Sequence, residues 1–110
     1  MWPEDQIKEM KDLFGEGITA YQESGLGYLM IPKLKLPDGC SPSECNALLC
    51  PAGRDGYPSR LYFEQRIATK GSPNWTQARI LERQWEAVSW KIEPNIRLAQ
   101  MVGAHLRALR

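Results

Sequence analysis

The sequence predicts an α+β domain: an N-terminal helix, a four-stranded antiparallel meander, an irregular insert and a C-terminal helix, all within residues 1–110. Three observations carry this. Apolar residues recur at helical spacing near both ends of the chain. Short alternating or β-rich runs fill the middle. The connections between those runs are brief and rich in Gly, Pro, Asp and Ser. Antiparallel neighbours need only tight turns, whereas parallel strands need long crossovers, so strands joined this closely form a meander with helices packed on it.

Residues 3–14 predict the first helix. Pro3 suits the first helical position, Glu4 and Asp5 complement the positive end of the dipole, and Ile7, Met10, Leu13 and Phe14 share a face before Gly15. Between Gly17 and Glu23, Ile18, Ala20 and Gln22 alternate against Thr19 and Tyr21, as in a strand. After the turn Ser24-Gly25-Leu26-Gly27, Tyr28–Ile31 resumes as a strand. Pro32 cannot donate to a ladder and predicts an edge or a bend; Lys33–Leu36 then alternates in the half-buried manner. Pro37–Glu44 is a loop, Ala47–Cys50 a third strand, Pro51–Pro58 a turn carrying Gly56-Tyr57-Pro58, and Ser59–Arg66 a fourth strand around Leu61, Tyr62 and Phe63. Lys70–Trp75 is a second loop. Residues 78–92 carry two periods: Ile80, Leu81, Trp85 and Val88 fit a helix, while Val88, Trp90 and Ile92 alternate. They predict a helical or irregular start and an extended end. Pro94 opens the last helix, in which Leu98, Met101, Val102, His105 and Leu109 recur at helical spacing and Arg107 and Arg110 suit the negative end of the dipole.

Composition bounds the function. With 43% hydrophobic and 25% charged residues the chain reads as an ordinary globular domain. Its 14 basic and 13 acidic residues leave a formal charge of +1, so no broad cationic surface meets a phosphate backbone and nucleic acid is not an expected partner. No apolar run reaches the roughly 18–20 residues of a membrane span, and the acidic start Met1–Asp5 does not read as a signal peptide. An odd count of 3 cysteines predicts free thiols in a reducing cytoplasm. The spacing of Cys40, Cys45 and Cys50 is not a zinc knuckle and lacks a fourth ligand, so no metal is expected. No phosphate-binding glycine loop and no carboxylate pair at acid–base spacing occurs, and no cofactor is expected.

One segment points to a family. Leu48-Leu49-Cys50-Pro51, then Tyr57-Pro58, then Leu61-Tyr62-Phe63 resembles the ubiquitin-conjugating (UBC) fold, where a strand ends in Pro and a Tyr-Pro turn leads into a strand with a large apolar residue. More narrowly, Leu36-Pro37, Gly56-Tyr57-Pro58 and Trp85-Glu86-Ala87-Val88-Ser89-Trp90 are similar to bacterial UBC-like proteins found beside prokaryotic ubiquitin-like modifiers. The resemblance covers residues 15–110. It implies a place in a ubiquitin-like modification pathway, one linked to phage defence. The partners it implies are the modifier, an activating enzyme or a catalytic partner protein. In UBC folds the N-terminal helix meets the activating enzyme; here that helix presents Lys8 and Lys11 among Glu4, Asp5, Glu9 and Asp12, which also suits a solvated face.

The sequence departs from the family where chemistry should occur. Conjugating enzymes carry His-Pro-Asn after the fourth strand, then the thiol that holds the modifier. This chain has Ser72-Pro73-Asn74 and no later cysteine. A thioester needs a thiolate, and a nearby side-chain amide stabilises the oxyanion. The resemblance gives Asn74 the amide role but supplies no nucleophile. Meander topology predicts that the Pro37–Glu44 loop lies near Ser72-Pro73-Asn74, which makes Cys40 or Cys45 the candidate thiol and sends Cys50 to the opposite end. Otherwise Cys40 is a free loop thiol and Cys45 and Cys50 pack in strands. Trp85 and Trp90 predict packing residues, Trp75 either packing or a binding anchor, and His105 a helix-face residue at the core edge. The expectations are therefore a partner-binding UBC-like protein, a divergent transferase using Cys40 or Cys45, or an unrelated α+β interaction domain.

Overall fold

Glu4–Phe14 forms the first helix, α1, with Pro3 at its N-cap and Gly15 after its last turn. Met10 is its fully buried residue, and Ile7 and Phe14 pack beside it. The computed structural model describes residues 2–54, 56–69 and 73–109. Lys70, Gly71 and Ser72 of the second predicted loop, and the predicted dipole residue Arg110, lie outside the described residues.

Six antiparallel strands follow: β1 (Thr19–Glu23), β2 (Leu26–Lys35), β3 (Glu44–Cys50), β4 (Arg60–Phe63), β5 (Trp75–Ile80) and β6 (Arg83–Val88), in the spatial order β1-β2-β3-β4-β6-β5. The second helix, α2, spans Leu98–Leu106 and ends in a 3₁₀ turn, Arg107–Leu109. Along β2, β3 and β4 the side chains alternate between two cores. Leu29, Ile31, Leu34, Cys45, Ala47, Leu49, Leu61 and Phe63 meet the helices through Met10, Leu98, Met101 and Val102. Tyr28, Leu48, Cys50 and Tyr62 point the other way, onto Ile80, Trp85 and Ala87.

Among the described residues the sheet therefore has six strands rather than a four-stranded meander, with β6 and not β5 beside β4, and the expected irregular insert is wrong. Most of residues 78–92 lies in a hairpin whose second strand slots beside β4. Its turn, Leu81-Glu82, takes φ of 53° and 64° without glycine or asparagine, so the usual hairpin signal is missing from the sequence. The helical spacing of Ile80, Leu81 and Trp85 reflects instead the apolar side of this hairpin. Both helices occupy the other face, so the second core is covered by the sheet itself. The hairpin tip curls back to the far edge, where the Leu81 N–H donates to Glu23 Oε2 at 2.7 Å. Trp85 is fully buried there and donates Nε1–H to the Ile80 carbonyl at 3.1 Å.

Two further boundaries shift. Pro32 makes a bulge inside β2: the register slips between Ile31 and Leu34, Lys33 adopts φ 51°, and its N–H is satisfied by Asn46 Oδ1 at 2.9 Å. The last helix starts at Leu98, not at Pro94, because Asn95 takes φ 61° and breaks the helical path. Residues of α1 secure that start. Gln6 Oε1 accepts the Leu98 N–H at 2.9 Å, and Arg97 pairs with Asp5 at 3.0 Å and Glu9 at 3.1 Å. The backbone N–H of Arg97 also donates to the Gln100 side chain at 2.9 Å.

Candidate functional site

The Tyr-Pro turn is closely built where Gly53 meets Tyr57 and Pro58. Gly53 begins it with φ +74°, a value L-residues avoid; a Cβ there would run into the Tyr57 carbonyl oxygen and stand 2.7 Å from the Pro58 carbonyl carbon. Its N–H donates to the Cys50 carbonyl at 3.2 Å, and the Tyr57 N–H donates to the Arg54 carbonyl at 3.1 Å. Beneath the turn lies Arg60, which sequence reasoning passed over. It is only 3% exposed. Its guanidinium stacks 4.2 Å from the Tyr57 ring centre and 5.5 Å from that of Tyr62. Its Nη2 donates to Thr76 Oγ1 at 2.9 Å and to the Val88 carbonyl at 3.4 Å. Arg60 thus ties the turn to β5 across β6 through cation–π contact and hydrogen bonds, with no carboxylate within ion-pair distance among the described residues. An arginine opening a strand of Leu-Tyr-Phe gives no sequence signal of such burial.

The expected approach of Asn74 to Cys40 and Cys45 does not occur, although half of its basis holds. The Pro37–Glu44 loop does meet the segment after β4, where Ser41 and Ala68 exchange two backbone hydrogen bonds of 2.9 Å. β5 nevertheless begins at the opposite end of the sheet. The Asn74 carbonyl accepts the Ser89 N–H at 2.8 Å, and the pairings Tyr62↔Ala87 and Cys50↔Arg60 place that level beside Cys50. Asn74 and Cys50 share one end of the sheet but sit three strand spacings apart, about 14 Å along it; Cys45 lies five residues further down β3, about 17 Å more. The inserted hairpin is the reason. Its second strand, β6, takes the place beside β4, so β5 lies outermost and, running antiparallel to β6, begins at the Cys50 end of the sheet.

All the thiols are reduced and sheltered to different degrees. Cys50 is 0% exposed and directs Sγ to the Gly53 carbonyl at 3.6 Å. Cys45 is 4% exposed, with Sγ 3.4 Å from the Asn46 carbonyl. Cys40 is half-buried, with Sγ 3.6 Å from the Leu109 carbonyl in the final turn. Burial pushes all three thiols above the ordinary cysteine range, because a thiolate loses its hydration there. A raised pKa is the opposite of what activates a sulfur nucleophile.

The remaining candidates separate by environment. Trp75 stands at the entry to β5, half-buried, edge-on to Phe63 at 6.2 Å and 69°, and packs against the helix-side core. Trp90, expected to pack, is instead 43% exposed. His105 faces β4, where Nε2 lies 2.9 Å from Ser59 Oγ, and both residues are buried. This dyad joins α2 to the sheet at the end of the Tyr-Pro turn. Among the described residues no cluster of His, Cys, Asp and Glu could hold a metal ion, and no helix is long and apolar enough to cross a membrane. No protein-family model, curated protein or solved structure matches the chain.

Proposed function

We propose that this chain is a UBC-like component of a bacterial ubiquitin-like conjugation pathway that binds its partners rather than carrying the modifier on a thiol. The partners are the modifier, its activating enzyme or a separate catalytic protein. One observation carries the preference for binding: Asn74, the candidate oxyanion amide, has no reactive thiol beside it. Cys40 and Cys45 belong to the other end of the sheet, and every thiol is raised in pKa by burial. The kinship itself draws support from the flanking helices, the antiparallel sheet and the braced Tyr-Pro turn.

The test is reconstitution with the modifier and activating enzyme encoded nearest to this gene. The expected result on a non-reducing gel is no thiol-sensitive adduct, together with co-elution of the unmodified partners by size exclusion. A thiol-sensitive adduct that disappears in Cys40→Ser or Cys45→Ser would make the protein a transferase instead. Neither adduct nor co-elution, with no such genes nearby, would leave an α+β interaction domain of other kinship.

A further inference from the structure

Beside α2 runs a groove with a bare floor and a cationic rim. It consists of two contiguous hollows that share Glu93, Ile96, Ala104 and Arg107, one of about 450 Å³ along the helix and one of about 300 Å³ toward Trp90. Ile92 and Ile96, on the segment that leads from β6 into α2, give it an apolar wall, and Trp90 extends that wall while 43% exposed.

Gly103 floors the groove, exposed on the helix face between Gln100 and Arg107. Nothing in the fold asks for a glycine there. Its φ is not left-handed, and a Cβ built on it would meet no atom within 4 Å. Glycine is the poorest helix former after proline, so α2 loses stability by carrying it. The missing side chain leaves the helix backbone open to close approach by another chain. Two cations stand at the rim. Neither Lys91 nor Arg107 has a carboxylate within ion-pair distance among the described residues. The lining holds a single acid, Glu93. Lys91 Nζ lies 6.0 Å from the Tyr57 ring centre, which puts this end of the groove beside the Tyr-Pro turn.

We infer that the groove binds a segment of a partner protein in which a bulky apolar residue and an Asp or Glu lie close together in sequence. The apolar side chain rests on Gly103 against Ile96 and Trp90, and the carboxylate pairs with Arg107 or Lys91. Gln100 to Arg107 spans about 10 Å of helix, the reach of about three extended residues, which sets the spacing of the two side chains. A half-exposed tryptophan beside an arginine is the composition of an interface anchor. Glu93 in the lining favours a segment of mixed composition over a polyanion such as a nucleic acid. The inference does not rest on kinship with conjugating enzymes, since it uses only the groove, the bare helix floor and the unpaired cations.

The probe is a phage-displayed library of random peptides panned on the full chain and depleted on Gly103→Gln, which fills the floor with a good helix former. Enriched peptides should carry a large apolar residue and an acid at that spacing. In fluorescence polarisation one of them should bind Gly103→Gln and Trp90→Ala roughly tenfold more weakly than the parent, and Lys91→Glu combined with Arg107→Glu at least as weakly. Gly103→Gln should also melt a few degrees above the parent. Weaker binding with higher stability separates a filled floor from a damaged fold. Failure to enrich any peptide overturns the inference, as does enrichment of peptides that lack an acid or that bind Gly103→Gln as well as the parent. So does a parent dimer in sedimentation that Gly103→Gln abolishes, since a second copy would then be the occupant.

Discussion

His105 is the residue whose chemistry is most altered by the fold. Burial first, and the Arg60 charge second, hold its pKa down to about 4 from 6.5, against a smaller opposing effect of its contact with Ser59. The folded protein keeps the ring neutral at a pH where the unfolded chain takes up a proton. Stability from this residue is therefore complete above pH 6.5 and is lost as pH falls towards 4, by up to about 3 kcal/mol. His105→Gln can still reach Ser59 but cannot titrate. Its urea midpoint should vary less than the parent's across that window, while carboxylates affect both curves alike; parallel curves would refute the assignment. Residue-scale burial also predicts thiol behaviour. With iodoacetamide at neutral pH, mass spectrometry should find slow labelling of half-buried Cys40 and labelling of Cys45 and Cys50 only under denaturing conditions.

Turns decide the behaviour of whole elements. Gly53→Ala places a methyl group against the Tyr57 and Pro58 carbonyls at φ +74°, and no flexible side chain is there to yield. The cost should be on the order of 3 kcal/mol or more, read as a fall in the urea midpoint, with the near-ultraviolet signal of Tyr57 altered. The β5–β6 turn offers the reverse case. Glu82 takes φ 64°, where an L-residue loses about 1–2 kcal/mol relative to the right-handed region. Glu82→Gly relieves this but loosens the unfolded chain, so the expected net gain is about 0.5–1 kcal/mol, or a few degrees in melting temperature. Leu81 is a poor target for the same change because its side chain packs on the second core.

At the scale of the molecule, one contact holds the curl of the sheet. Glu23 at the β1 edge accepts the Leu81 N–H from the hairpin tip, 58 residues away in sequence. A charge-assisted bond in a part-buried site is worth more than an exposed ion pair. Glu23→Ala should cost about 1.5–2 kcal/mol in urea unfolding and speed hydrogen exchange at Leu81. Thr19→Ala, at the other end of the same strand, should cost almost nothing. Equal effects of the two substitutions would mean that the curl is held by packing of Trp85 alone.

The local chemistry of the chain was enough to determine both helices, the first four strands and the Tyr-Pro turn. Apolar periodicity reports how many sides of an element are buried, and Gly and Pro report where the backbone must turn. Ser72 is legible only as a motif, and lies outside the described residues. Tertiary structure alone decided the rest. Residues 75–88 became a hairpin because β4 offered an unpaired edge and the second core needed Ile80 and Trp85, a demand no local pattern records. That insertion carried Asn74 away from Cys40 and Cys45, buried Arg60 under Tyr57, and left Trp90 exposed. Register between distant strands is a long-range pairing energy, and the placement of a site built from several strands follows from it.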